Sequence, residues 1–146
     1  MQPREALQQI SLFRGVEPAD LDAVAGLAEA KAYGPGEQIF DHGHPADALF
    51  VILIGTVEIF APGKDIALIS MASGQTVGEV AFFRRAAHNA SARARETTHV
   101  MRIGFAALDR LLAERPGLAL IFYRNVATAF AHHLGQLAAE LDRPYF

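Results

Sequence analysis

The sequence predicts an α+β protein that is mainly β, with a barrel or jelly roll of short strands between helices at both ends. From residue 33 to residue 104, short apolar runs alternate with glycine-bearing turns at roughly 8–12-residue spacing, which is typical of closed β architectures. On either side, apolar residues recur at the spacing of three and four that defines a helix face. We therefore expect a single domain over 1–146, with helices in 3–30, the barrel in 33–104 and helices in 105–141.

Two helices are predicted before the barrel. The first covers residues 3–13, and the second opens at Pro18, which suits a first helical turn because its missing N–H needs no partner there. The apolar positions that define their faces are Ala6, Leu7, Ile10 and Phe13 in the first helix and Leu21, Val24, Ala25, Leu27 and Ala28 in the second.

The central region contains short apolar runs that predict strands. The longest run, Ala48 to Ile54, is apolar throughout, as expected of a strand that is buried on both faces, and Gly55 ends it. A short helical turn is expected from Glu79, before the last two strands. The predicted strands are 37–40, 48–54, 57–60, 66–69, 91–95 and 99–103.

Two helices are predicted after the barrel. The first covers 105–113 and ends before Pro116, and the second runs from about Leu118 to Leu141. Apolar residues form a seam along the second helix, which packs either on the barrel or on a second copy of the chain. The seam residues are Leu120, Tyr123, Ala127, Phe130, Leu134, Leu137 and Leu141.

Composition narrows the class of protein. Hydrophobic residues make up 51% of the chain and charged residues 20%, as in ordinary globular proteins. A net charge of −3 gives no general attraction to nucleic acid or to an anionic membrane. The absence of cysteine excludes disulfides and thiolate catalysis. Because the sequence shows no secretion signal and no apolar run near the ~20 residues of a membrane helix, we expect a cytoplasmic protein.

Catalytic and metal-binding patterns are weak in this sequence. The serines lack the context of a nucleophile elbow, and neither a phosphate loop nor a dinucleotide fingerprint occurs. The histidine pairs His42/His44 and His132/His133 have no third ligand at convincing spacing. We therefore expect a non-enzymatic protein with no metal site and no required cofactor.

Residues 78–94 carry the main functional signal. Gly78 and Glu79 open the short helical turn, and a small-residue strand beginning with His88 follows nine residues after Glu79. This layout resembles the phosphate-binding cassette of cyclic-nucleotide-binding domains, the family that includes catabolite activator proteins and the regulatory subunits of protein kinase A.

The resemblance extends over residues 12–130. Outside the cassette it rests on an entry segment, on glycines at sharp corners and on strand residues, namely Leu12-Phe13-Arg14-Gly15-Val16, Asp20-Leu21, Tyr33, Gly36-Glu37, Ile39, Gly43, Phe50-Val51-Ile52, Gly55, Val57 and Gly74. It implies an eight-stranded jelly-roll barrel with N-terminal helices, a short cassette helix and two C-terminal helices.

The resemblance also implies roles for individual residues. The carboxylate of Glu79 would accept a hydrogen bond from a ribose 2′-hydroxyl, and backbone N–H groups near Val80 to Phe82 would point at a cyclic phosphate. Small residues on the following strand would let the ligand lie against it. The base contacts would come partly from the last helix, at Ala127 or Ala131. The implied ligand-binding residues are Gly78, Glu79, Val80, Ala81, Phe82, His88, Asn89, Ala90 and Ser91.

One position departs from the family pattern. Members that bind cAMP or cGMP carry an arginine where this chain has His88. Loss of a charged hydrogen bond costs roughly 1.5–3 kcal/mol, and more if it is bidentate, so affinity would fall on the order of 10- to 1000-fold. His88 replaces the charge only when it is protonated, and Asn89 offers a hydrogen bond without charge. Arg84 and Arg85 are expected at the solvated surface.

Two functional hypotheses remain open. In the first, the chain is a stand-alone regulatory module that binds cAMP or cGMP weakly, or binds a different small anion or metabolite. Binding changes its contact with a second copy or an effector protein. In the second, it binds no small molecule and serves in dimerisation or protein docking. Because the chain ends at Phe146, about five residues beyond the last predicted helix, we expect no DNA-reading helix-turn-helix.

Overall fold

The computed structural model describes residues 3–140. Eight strands form two antiparallel four-stranded sheets, ordered β1-β8-β3-β6 and β2-β7-β4-β5. In chain order, the elements are α1 (Pro3–Gln8), a 3₁₀ turn (Ser11–Phe13), α2 (Pro18–Ala25), β1 (Ala28–Tyr33), β2 (Gln38–Phe40), β3 (Ala48–Ile54), β4 (Thr56–Phe60), β5 (Ala67–Ala72), β6 (Thr76–Val77), α3 (Glu79–Arg84), β7 (Ser91–Ala94), β8 (Thr98–Gly104), α4 (Phe105–Glu114) and α5 (Pro116–Glu140). The predicted α+β class is confirmed, with eight strands in two sheets and helices at both ends.

The N-terminal boundaries differ from the prediction. The prediction that helices extend to residue 30 is wrong, because α2 ends at Ala25 and residues 28–33 form β1. Alternating alanines in this segment are compatible with both a helix and a strand, and pairing with β8 over its full length decides for the strand. The barrel therefore starts at Ala28. Likewise, the helix expected over 3–13 divides into α1 and a 3₁₀ turn.

The C-terminal helices lie close to their predicted positions. α4 is one residue longer than expected, and α5 begins at Pro116 rather than at Leu118, with proline in the first turn. Leu141, the last residue of the predicted seam, lies outside the described residues. No helix within residues 3–140 is long and apolar enough to cross a membrane.

Strand β3 separates two hydrophobic cores. Leu49 and Val51 face the terminal helices, whereas Phe50 and Ile52 face the space between the two sheets. This burial on both faces explains why the strand is apolar throughout. The helical core also contains Phe82 of α3, so the cassette helix is anchored on one side while its first turn opens toward the sheets.

Only part of the predicted seam of α5 packs on the rest of the chain. Tyr123 and Phe130 lie edge-on to Phe83 of α3, at ring-centroid distances of 5.9 and 6.2 Å. The fully buried residues of the helix form a different set, namely Leu118, Phe122, Val126 and Ala138. Five seam side chains remain at least about one-third exposed, namely Leu120, Tyr123, Phe130, Leu134 and Leu137. An apolar stripe of this kind is a candidate interaction surface.

Candidate functional site

A cavity of about 200 Å³ lies at the first turn of α3. Strands of the second sheet form its walls, and α5 reaches it from outside. The lining residues are Phe40, Ile59, Ile69, Met71, Thr76, Val77, Gly78, Glu79, Val80, Ala81, His88, Asn89 and His133. The structure thus brings Gly78 through Ala81 together with His88 and Asn89, two segments of residues 78–89 that were predicted to share one site.

Gly78 sets the direction of the cassette. Its φ of 94° lies in the left-handed region, which side chains rarely adopt, and a Cβ atom there would lie 3.0 Å from the carbonyl oxygen of Ala48. The backbone can therefore turn tightly from β6 into α3 only with glycine. This turn places the Glu79 side chain in the cavity.

Glu79 is a partly buried carboxylate with one side-chain donor. Burial raises the pKa of Glu79, and this effect is opposed by a hydrogen bond from its own backbone N–H and by one from the Thr76 hydroxyl at 3.3 Å. The remaining acceptor capacity of the carboxylate faces the cavity lining. A ligand hydroxyl group can use it.

Phe82 does not line the cavity, contrary to the expectation from the sequence. Its side chain is 1% exposed and packs on Phe105 and Phe122, at centroid distances of 5.0 and 6.3 Å. Its backbone N–H donates to the carbonyl of Gly78. Only Val80 and Ala81 of the three expected donor residues line the cavity.

Ser91 lies on the other side of β7. Its hydroxyl donates to the Asp41 carboxylate at 2.7 Å and lines a separate depression on the outer surface. Side chains alternate along a strand, and Ala92 and Ala94 take the inward positions of β7. The expected ligand contact of Ser91 is therefore corrected. Ala90 is partly buried and does not line the cavity.

His88 occupies the position that the resemblance gives to arginine, but its ring is packed away. The imidazole stacks on Phe40 with ring centroids 3.7 Å apart and an interplanar angle of 7°. Its backbone is bonded on both sides to the turn at Gly43 and His44. Burial lowers the pKa of His88; Asp47 opposes this effect and His44 adds to it. Both the stacking and the lowered pKa favour the uncharged imidazole at neutral pH.

The neighbouring arginines do not replace the missing charge. Arg84 is exposed, and Arg85 forms a bidentate ion pair with Asp109 of α4, with N–O distances of 2.6 and 2.8 Å. Within residues 3–140, no lysine or arginine side chain lines the cavity. The site thus has a carboxylate acceptor but no fixed cation.

Several cavity residues were not identified from the sequence. Phe40, Ile59 and Met71 lie on strands whose inward positions could be expected to face a central space, but nothing local distinguishes them from core residues. His133 was assigned to the surface, because its place beside the cavity depends on how α5 crosses the barrel. Ala127 and Ala131, the expected base contacts, are exposed and do not line it.

Comparison with known proteins identifies the same family that the sequence of the cassette resembles. The family model for the cyclic nucleotide-binding domain matches residues 30–115. A candidate potassium channel protein of Rhodopseudomonas palustris is 30% identical over 92% of this chain, and the cyclic AMP receptor protein of Thermus thermophilus is 27% identical over 90%. The chain spans only 33% and 60% of these two curated relatives.

Solved structures agree with the sequence matches. The catabolite activator protein of Thermus thermophilus superposes with a TM-score of 0.77 at 26% identity, covering 90% of this chain and 62% of that one. A candidate cyclic nucleotide-binding protein of Geobacter metallireducens gives 0.79 at 27% identity, covering 92% and 99%. With more than half of its length matched by the family model, the chain belongs to the cyclic nucleotide-binding domain family, a family of non-catalytic sensor domains.

Proposed function

We propose that the chain is a regulatory sensor whose small-molecule ligand binds in the cavity at the start of α3. The observation that carries this proposal is that Glu79 of the cassette and His133 of α5 line the same cavity. A ligand that contacts both residues binds more tightly when α5 lies in one arrangement than in another. This difference in affinity is what a conformational signal requires. The output is a changed contact with a second copy or with an effector protein.

Cyclic nucleotides bind weakly to this site at neutral pH. His88 is stacked on Phe40 and uncharged, so the phosphate lacks the charge-assisted pair that arginine provides. Lower pH strengthens binding, because a bound phosphate favours the protonated imidazole. The other titratable groups around this ring are Glu79 and His133 in the cavity and His44 and Asp47 in the adjoining turn.

Calorimetric titration with cAMP and cGMP at pH 6 and pH 8 tests this proposal. We expect tighter binding at pH 6 for the natural chain. The variant His88→Arg should bind at least about tenfold more tightly and lose most of the pH dependence, by restoring a charged hydrogen bond. His99→Arg, on the exposed surface of β8, is the matched control and should leave binding unchanged. Identical affinity in all three proteins would refute the assigned role of His88.

The exposed seam of α5 favours a second candidate function, dimerisation or docking without a ligand. Leu134 and Leu137 are 48% and 51% exposed and lie about one helical turn apart on this seam, whereas Phe130 also packs on Phe83 of α3. We expect the double variant Leu134→Glu, Leu137→Glu to sediment as a folded monomer, while the natural chain sediments as a dimer. A thermal-shift panel of nucleotides separates the functions, since a sensor gains stability with ligand and a docking module does not.

A further inference from the structure

We propose that this cavity takes an uncharged ribonucleoside in preference to a cyclic nucleotide or any other phosphate-bearing ligand. This inference rests on the proposed sensor function of the same cavity and names the class of its ligand. It is drawn from the charges, the packing and the size of the cavity.

The charges of the lining disfavour an anion. Glu79 is the acidic group in the cavity, and among residues 3–140 no lysine or arginine lines it. A phosphate beside Glu79 would put two negative charges into a partly buried space without a fixed cation, and like charges at short distance raise each other's free energy. Arg85, at the end of α3, is held by both oxygens of Asp109 and does not line the cavity.

The His88 end of the cavity is closed by aromatic packing. The His88 ring stacks on Phe40, and Phe40 in turn lies 6.0 Å from the ring of Phe50 in the barrel core. Rotation of His88 into the cavity would break this stack and expose apolar ring surface. The backbone on either side of the ring is also fixed, with hydrogen bonds of 2.8 and 3.1 Å to Gly43 and His44. The structure therefore presents a neutral surface where a phosphate would need a cation.

The size of the cavity points in the same direction. At about 200 Å³, it is smaller than the roughly 300–1,000 Å³ of most small-molecule sites. A nucleoside is smaller than the corresponding cyclic nucleotide by its entire phosphate group. It therefore requires less outward movement of α5, whose His133 borders the cavity.

The remaining groups suit a ribose and a flat ring. A vicinal diol supplies two O–H donors, and the Glu79 carboxylate is the acceptor that can take both. Such donors offset the unfavourable burial of that carboxylate without adding charge. Asn89 supplies an amide, while Ile59, Met71 and Val77 supply apolar surface for a planar base. These requirements distinguish a ribonucleoside from a 2′-deoxyribonucleoside, which offers only one hydroxyl at this point.

The experiment compares matched ligands by calorimetry at pH 7.5. Adenosine, guanosine, their 2′-deoxy forms, cAMP and cGMP are titrated into the natural chain. We expect at least one ribonucleoside to bind about tenfold or more tightly than both its cyclic nucleotide and its 2′-deoxy form, as loss of one charged hydrogen bond would give. His88→Arg should gain affinity for the cyclic nucleotide and not for the nucleoside, and His99→Arg should change neither.

The outcomes separate this inference from the function on which it rests. If a cyclic nucleotide binds the natural chain as tightly as its nucleoside, the preference is overturned and the sensor function stands. If no ligand of the panel binds the natural chain or the folded His88→Arg variant at millimolar concentration, both are overturned. The comparison within the natural chain needs no variant, so a folding defect in His88→Arg leaves the preference fully tested.

Discussion

Glu79 and His88 lie on the same cavity, and burial shifts their pKa values in opposite directions. The pKa of Glu79 is raised and that of His88 is lowered, in both cases chiefly by desolvation. Each shift favours the uncharged form of its group. The site therefore has a carboxylate acceptor at one end, whereas its other end disfavours charge instead of supplying it. This difference supports the uncharged ligand that we propose.

The turn at Gly78 positions Glu79, whereas His88 is held by the turn at Gly43 and His44, and Gly78→Ala should have the largest effect on stability of the variants considered. The new Cβ combines a left-handed φ with a 3.0 Å approach to the Ala48 carbonyl. We expect a loss of about 1–3 kcal/mol in the free energy of unfolding, together with loss of ligand binding. Urea denaturation gives the former and calorimetry the latter.

Gly36→Ala is the matched control for this substitution. Gly36 has a similar φ of 78°, but no heavy atom lies within 4 Å of a Cβ placed there. The control should show only the cost of the left-handed backbone, about 1–2 kcal/mol. If the two variants lose the same stability, the close approach of β3 to the cassette does not constrain this turn.

The charge on Glu79 should lower stability at neutral pH. Its pKa in the folded chain is above the ordinary value, so the folded state binds more protons than the unfolded state between those two values. The contribution of Glu79 to the free energy of unfolding is therefore fully present below the pKa of the unfolded chain. It is lost as the pH rises through the pKa of the folded chain. Glu79→Gln, which keeps an oxygen to accept from Thr76, should raise Tm at pH 7.5 and lose this advantage near pH 4.

His88 should show the complementary dependence on pH. Its pKa is lower in the folded chain than in the unfolded chain. The contribution of His88 to the free energy of unfolding is therefore fully present above the unfolded pKa near 6.5, and it is lost as the pH falls through the folded pKa. The advantage of Glu79→Gln at pH 7.5 should persist when His88 is also changed to Gln. A Tm of Glu79→Gln equal to that of the natural chain at pH 7.5 would mean that Glu79 is hydrated rather than buried.

How far the sequence predicts this molecule depends on whether the signal is local. The continuous apolar run of β3 predicts a buried strand from adjacent residues alone. The Gly78–Glu79 pair likewise predicts the short helical turn and its carboxylate. β1 could not be separated from a helix, because its alanines take their structure from pairing with β8. The outward direction of Ser91 depends on the phase of β7, and the approach of His133 depends on the path of α5 across 17 residues after Pro116.

The resemblance to a family could not predict how His88 packs. The ring lines the cavity, but its stack on Phe40 is visible only in the structure. Phe40, Phe50 and His88 form one packed cluster, although they come from three separate segments of the chain. The spacing of these residues in the sequence does not predict the cluster, because they come into contact only when the two sheets pack together.

The far end of α3 should give the smallest effect on stability. Arg85 has a φ of 55°, in the left-handed region, and its ion pair with Asp109 links the cassette to α4 at the exposed surface. Arg85→Ala loses the ion pair and keeps the strained backbone, whereas Arg85→Gly loses the pair but relieves the strain. We expect Arg85→Gly to have a higher Tm than Arg85→Ala, and both to differ from the natural chain by less than Gly78→Ala does. Asp109→Asn should resemble Arg85→Ala, because each removes one partner and leaves the backbone at Arg85 unchanged.

Ligand affinity measured on the same variants then compares the two ends of α3. If the ligand end acts independently, all three keep the natural affinity, and a parallel loss of affinity would show that the contact with α4 helps to position Glu79.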